Sequence, residues 1–270
     1  MYVISKNKEM LGFELLSKHS NIFHFTTTRR GGVSKGSYGA MNLSYYCGDD
    51  KAAVSKNWEI VKGEFPFKPN YIAFPYQTHG DKIRIIDASF LELSTSDQKS
   101  LLHGVDALIT NSPRVLLTTC TADCVPSILY DPIKQVVATV HSGWRGTTKH
   151  LLVKVVHKMI EKFGSNPEDI LATIGPSISL KVFEVGDEVV QFFKESNFII
   201  ADIAYRNPKT GKYHIDLWES NRLLLNKAGV LDSNICYSNQ CTYTNYELFF
   251  SARRLTIDSG RVTTAVMLKE

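Results

Sequence analysis

Thr118–Thr147 reads TTCTADCVPSILYDPIKQVVATVHSGWRGT. Two short apolar runs lie inside it, Ser127–Tyr130 and Val136–Val140, and Val115–Thr119 leads into it. Runs of this length, rich in β-branched residues, read as strands. Two of these strands end on reactive side chains. Val115–Thr119 runs into Cys120-Thr121-Ala122-Asp123-Cys124, and Val136–Val140 runs into His141-Ser142-Gly143-Trp144-Arg145-Gly146. If the strands are neighbours, Cys124 and His141 come side by side. Reactive groups at strand ends, followed by small turn residues, suit a site mounted on a rigid scaffold.

Working outward, further strands are expected at Ile22–Thr26, Tyr71–Phe74, Lys82–Ile86, Ile170–Ile174, Ile235–Tyr237 and Val262–Met267. Helical patterns interleave with them. In His150–Phe163 the apolar residues Leu151, Leu152, Val155, Val156, Met159, Ile160 and Phe163 fall on one helical face, and Gly164 is a natural stop. Asp216–Ala228 has Asp216 as cap, Glu219 to complete a capping box, and Gly229 as terminator. Lys51–Gly63 and Asp187–Glu195 are also helical candidates. Interleaved strands and helices, with strands in the majority, indicate an α/β (α+β) fold of mixed β-sheets flanked by helices. No GxGxxG opens a helix, which argues against a doubly wound nucleotide fold.

With no linker, repeat or low-complexity tract, residues 1–270 are expected to form a single domain. The net charge of +4 comes from 31 basic and 27 acidic residues dispersed along the chain, which gives no support to nucleic-acid binding. No apolar run approaches the ~20 residues of a membrane span, and the first residues lack a signal-peptide core. The expected location is the cytoplasm. Five cysteines in 270 residues, with no CxxC, are too few and too odd for a disulfide scaffold.

A cysteine beside a histidine supports two chemistries. The imidazole can lower the thiol pKa and make a nucleophile, or both can bind zinc. A buried thiol and a hydrogen-bonded imidazole with no chemistry is the third option. Spacing alone leaves all three open. His79, in the turn Tyr76-Gln77-Thr78-His79-Gly80, sits between two expected strands and could act as ligand or base. Phe25–Ser34 joins Arg29 and Arg30 to Gly31 and Gly32, a pattern that can cradle an anion or simply form a flexible hairpin.

Taken together and in order, several segments resemble one family. They run from TTTRRGGVSKGSYGAMNLSYYCGDD (Thr26–Asp50) through QTHG, GVDALIT, TADCVPSILYD and VHSGWRGT to IGPSIS, EVGDEV, DLWESN, LFFSARR and SGR. The chain is similar to the YfiH/YlmD-like proteins, also called laccase-domain or polyphenol-oxidase-like proteins and purine nucleoside phosphorylases. The resemblance implies a layered α/β/β/α fold, shared with a cysteine–histidine toxin deamidase. It implies one metal site of His79, Cys124 and His141, holding zinc, with copper as a possible substitute. The implied activity is phosphorolysis of adenosine, inosine and methylthioadenosine, with deamination of adenosine to inosine. Arg145 joins the three ligands as a catalytic candidate, and Arg29, Arg253 and Asn42 are candidates for holding substrate or phosphate. The expected partners are small purine nucleosides and phosphate, with no nucleic acid or membrane, and the protein is expected to be a monomer or homodimer. The sequence departs from the family's pattern at Ser177, Phe183 and Leu255.

Two other enzyme readings and one non-enzymatic reading compete. Eight histidines with no His-x-His pair speak against a multicopper laccase. A Cys124/His141 amide hydrolase, acting on peptidoglycan precursors, has less use for His79. A binding protein finds no partner motif in the sequence.

Overall fold

The computed structural model describes residues 1–5 and 10–270. Its strands are β1 (Tyr2–Val3), β2 (Met10–Gly12), β3 (Ile22–Thr27), β4 (Tyr71–Ala73), β5 (Lys82–Ile85), β6 (Val105–Thr110), β7 (Val115–Thr121), β8 (Val125–Asp131), β9 (Val136–Ser142), β10 (Leu171–Ile174), β11 (Glu184–Val185), β12 (Ala204–Arg206), β13 (Tyr213–Ile215), β14 (Ile235–Tyr237) and β15 (Val262–Leu268). They make a six-stranded sheet, β1-β2-β3-β15-β7-β4, a second, β14-β10-β8-β9-β6-β5, and a small sheet, β11-β13-β12. The large sheets are mixed. β4 runs parallel to β7, β5 to β6 and β14 to β10, while the other neighbours are antiparallel.

Alternation along the strands builds four layers. On β15, Val266 and Leu268 face inward, where they meet Leu117 of β7 and Leu108, Ile128, Tyr130 and Val137 of the second sheet. Ala265 and Met267 face outward onto Val54, Trp58 and Val61 of helix Lys51–Gly63. On the second sheet, Ile109, Leu129, Ala138 and Val140 face outward onto Leu152, Val155 and Met159 of helix Leu151–Phe163, and onto Leu224 and Leu225 of helix Leu217–Lys227. The order is therefore helix, sheet, sheet, helices, as the family resemblance implies. Each fully buried Leu, Ile or Val contributes roughly 1.5–3 kcal/mol, so three apolar interfaces carry the fold.

The differences from the sequence reading have local causes. β6 was not expected as a strand, because Asp106 interrupts an otherwise apolar run; that carboxylate is buried at the site described below. β9 extends to Ser142, so His141 lies on the strand itself. The strands of the small sheet are only two or three residues long, below what periodicity can reveal. Asp216 does cap its helix, accepting from Glu219 N at 3.0 Å. The capping box is not completed: the Glu219 carboxylate turns to Arg222 instead. Among the described residues, no helix is long and apolar enough to cross a membrane.

His24 on β3 is 5% exposed, and its Nε2 accepts from Phe13 N at 2.9 Å. Burial, partly offset by the Phe13 backbone, lowers its pKa to about 4. The folded value is below the unfolded value of about 6.5. The imidazole's contribution is therefore intact above pH 6.5 and is lost as the pH falls toward 4. The shift corresponds to about 3 kcal/mol. Urea unfolding of wild type and His24→Gln should show the difference between them moving by about that amount from pH 7 to pH 4. A difference independent of pH contradicts this account.

Candidate functional site

The site forms at one end of the sandwich, where β7 passes into β8, where β9 ends, and where the chain crosses from β4 to β5. In the β8–β9 pair, Val125 lies opposite Ser142 and Pro126 opposite His141. Strand side chains alternate, so His141 shares the inter-sheet face with Val137, and Pro126 shares it with Ile128. Cys124 lies one pleat beyond Pro126, diagonal to His141 and on the same face. Diagonal neighbours are within reach of long side chains. The antiparallel register therefore brings together two residues separated by 17 positions.

His79 arrives from the other direction, on the crossover from one sheet to the other, with its backbone in the left-handed region at φ 59°. The loop is held from both ends. The Gln77 side chain acts as a substitute strand: its Nε2 donates to Cys120 O at 2.9 Å, and its Oε1 accepts from Cys120 N at 2.7 Å. Beyond it, the Asp106 carboxylate accepts from Thr78 N at 3.3 Å, His79 N at 3.0 Å and Gly80 N at 2.6 Å. The same carboxylate bonds His141 Nδ1 at 2.8 Å. That bond fixes the ring and leaves Nε2 for the site.

The ligand atoms of His79, Cys124 and His141 lie within 4.8 Å of one another, and among the described residues no other cluster of three or more such groups could hold a metal. Space is tight around them. A Cβ on Gly143 would lie 2.8 Å from Cys124 Sγ and 3.3 Å from His79 Cδ2. The glycine of HSGWRGT is thus required by contact rather than by a left-handed φ.

Burial is the largest influence on both Cys124 and His141, and it opposes charge on each. Proximity overrides it. His141 and His79 lower the Cys124 thiol to about 6, and Cys124 with Asp106 raises His141 to about 9. The pair titrates together as thiolate and imidazolium. For Asp106, burial pushes the pKa up, but His141 and the backbone donors of Gly80 and Thr78 bring it down below the usual carboxylate value. The group stays ionised.

A cavity of about 480 Å³ opens onto the cluster, within the range of small-ligand sites. Its lining includes Tyr46, Phe74, Tyr76, Phe183, Arg253 and Arg261 beside the three ligand candidates. The other sequence candidates are placed differently. Arg145 is exposed, stacks 4.2 Å over Trp144 and lies outside the lining. Arg29 spends its guanidinium on Gly39 O and Tyr246 O and packs over Phe250. Asn42 is buried, bridging Ser44, Asp49 and the backbone of Arg261. Asn42 thus braces the lining residues Ser44 and Arg261 from behind, while the partners of Arg29 lie outside the lining.

Asp106, Gln77, Tyr46, Tyr76 and Arg261 belong to the site without a local signature of their own; for Asp106, Gln77 and Arg261 the available signal is membership of the segments GVDALIT, QTHG and SGR. Asp123 is structural: it accepts from Thr242 Oγ1 at 2.6 Å, Ser251 Oγ at 3.0 Å and Arg253 N at 2.7 Å, tying the C-terminal segment to the cavity. Of the three departures, Ser177 is buried and accepts from Trp218 Nε1 at 2.6 Å, Phe183 lines the cavity, and Leu255 packs near Phe249 and Phe250.

Residues 23–269 match the family model for the multi-copper polyphenol oxidoreductase laccases. The chain belongs to this family. A Bacteroides thetaiotaomicron relative named purine nucleoside phosphorylase is 42% identical over 268 residues, covering 99% of each chain. A relative named adenosine deaminase RL5, from an unknown prokaryotic organism, is 41% identical and covers 91% of this chain and 93% of its own. The crystal structure of YlmD from Geobacillus stearothermophilus superposes with a TM-score of 0.88 at 31% identity, covering 99% of this chain and 100% of that one. A chain that matches the laccase family's model thus has relatives named for nucleoside chemistry.

Two outcomes test this geometry. In metal-free protein, alkylation of Cys124 followed by peptide mass spectrometry should show a rate midpoint near pH 6, and His141→Ala should move it above neutrality. A wild-type midpoint at an ordinary thiol value contradicts the coupling. Asp106→Asn cannot accept from every donor around it, and should lose about 2–4 kcal/mol in chemical unfolding. An unchanged unfolding curve removes Asp106 from its central position.

Proposed function

We propose that the protein is a zinc-dependent purine nucleoside enzyme. In this reading it cleaves adenosine, inosine and methylthioadenosine by phosphorolysis and deaminates adenosine to inosine. The observation that carries the reading is the His79–Cys124–His141 cluster on a cavity of about 480 Å³ with aromatic walls. The names of the relatives point to the same chemistry.

The donor set fits zinc. It offers one acidified thiol and two imidazoles, and one imidazole is already oriented by a carboxylate on its far nitrogen. Three protein ligands leave one position open, which is the pattern of catalytic rather than structural zinc. Zinc held there supplies Lewis acidity at neutral pH. Copper(II) can replace zinc at such ligands. A multicopper centre needs more, and the described residues offer this one cluster.

The chain's own residues supply the rest. Asp106 holds His141 and the His79 loop in register. Gly143 keeps the approach to Cys124 open. Arg253, whose backbone is fixed by Asp123 and whose Nη1 alone is turned to Val182 O and Glu184 O, is our choice among the lining's cations to meet phosphate. Arg261 also lines the cavity, but its guanidinium is turned to Ser259 O, Gly260 O and Ile257 O. The proposed substrates fit a cytoplasmic enzyme.

One observation favours a second reading. Cys124, His141 and Asp106 also form a nucleophile–base–carboxylate series, the arrangement of a thiol hydrolase acting on amides such as peptidoglycan precursors. His79 separates the two readings. Wild type, Cys124→Ala and His79→Ala should be assayed on adenosine with and without phosphate, and their metal measured by elemental analysis. The zinc reading expects near one zinc per chain in wild type, turnover of adenosine, and loss of both in each variant. Metal-free wild type inert toward adenosine, with amide hydrolysis that survives in His79→Ala, establishes the thiol hydrolase instead.

A further inference from the structure

The cavity carries an aromatic group that the proposed chemistry has not used. Tyr46 and Tyr76 both line it, yet folding leaves them 44% and 38% exposed. They meet edge to face, with centroids 4.8 Å apart and planes at 88°. Each is braced from behind. Tyr46 packs on Phe74 at 5.9 Å, and Tyr76 stacks on His103 at 4.7 Å with planes at 17°. Rings held in this way cannot bury themselves by rearranging. A planar ligand that covers them removes apolar surface from water and gains ring contact.

We propose that Tyr46 and Tyr76 form an aromatic corner for the purine ring: set at 88° to each other, one stacks on its face while the other meets it edge-on, so that the ring is held by its aromatic surface and not by its hydrogen-bonding groups. The inference rests on the nucleoside reading and deepens it. Three observations support it. Tyr76 is three residues from His79 on the same crossover, so a base in this corner lies beside the ligand cluster. Gln77, the amide side chain of the lining able to read a purine edge, has both amide atoms committed to the Cys120 backbone. Arg253, the arginine assigned to phosphate, packs on Phe183 and donates to Glu184 O, partners that are not part of the tyrosine group. A π-face does not distinguish a 6-amino from a 6-oxo purine, because every base has one. The corner therefore accepts adenosine and inosine alike, and discrimination between them is weak.

The test uses the zinc-loaded full chain and its Tyr46→Ala, Tyr76→Ala, Tyr46→Phe and Tyr76→Phe variants. Equilibrium binding of adenosine and inosine is measured by calorimetry, alongside turnover, the KM for phosphate and zinc content. Each alanine variant should bind both nucleosides about ten-fold more weakly, by the same factor for each. Zinc content and the KM for phosphate should stay at the wild-type value. The phenylalanine variants keep the ring and should bind as wild type. The proposal falls if the alanine variants bind as wild type, if only one nucleoside is affected, or if phenylalanine fails as badly as alanine, since the hydroxyl would then be the active group. If wild type turns over adenosine and the alanine variants match it, only the aromatic corner is lost. If wild type binds neither nucleoside, the nucleoside reading is lost with it.

Discussion

The Asp106 carboxylate is the point on which the site depends. It is fully enclosed, and removing a charge from water costs several kcal/mol unless hydrogen bonds replace the lost solvation. Three backbone N–H groups and one imidazole supply that replacement. The donors come from two places: the crossover that leaves the first sheet, and a strand of the second. Meeting the needs of one buried anion therefore locks the His79 loop to the His141 strand. Any other arrangement of this loop leaves a carboxylate or several amides unpaired inside the protein.

This constraint accounts for features that look unrelated along the chain. In QTHG, Gln77 pairs with the end of β7, Thr78 and Gly80 donate to Asp106, and His79 is left facing the cavity. In HSGWRGT, His141 takes the far side of the same carboxylate, and Gly143 leaves room for Cys124 and His79. Asp123 repeats the device on the opposite flank, where its carboxylate gathers Thr242, Ser251 and the backbone of Arg253. Two carboxylates, one fully buried and one half-buried, thus anchor the two sides of the cavity.

The electrostatics follow from the same packing. Asp106 favours positive charge on His141, and His141 favours negative charge on Cys124. A thiol acidified in this way serves equally as a metal ligand and as a nucleophile. The presence of His79 at the same point, within 4.8 Å, weighs toward the metal. The family's laccase name implies metal binding, while its relatives are named for nucleoside chemistry. A single cluster suits the second group of names.

By itself, the sequence determined the class, mixed sheets flanked by helices, and its main elements. Helices such as Leu151–Phe163 are long and strongly periodic, and strands such as β8 and β9 are apolar runs closed by turns. It also marked Cys124, His141 and His79, because reactive residues at strand ends stand out and the ordered segments point to one family. Asp106 was hidden, since one acid in an apolar strand has no local signature and only its four donors show its role. Arg29, Arg145 and Asn42 looked like substrate contacts because charge and proximity in sequence are all that a chain displays. Tertiary structure turns the Arg29 guanidinium to backbone carbonyls, buries Asn42 behind Ser44 and Arg261, and leaves Arg145 outside the cavity lining, while bringing Tyr46, Tyr76 and Arg261 to it. Periodicity is a local property of the backbone and can be read along the chain; which way a side chain's polar atoms point depends on partners up to hundreds of residues away, and only folding brings them together.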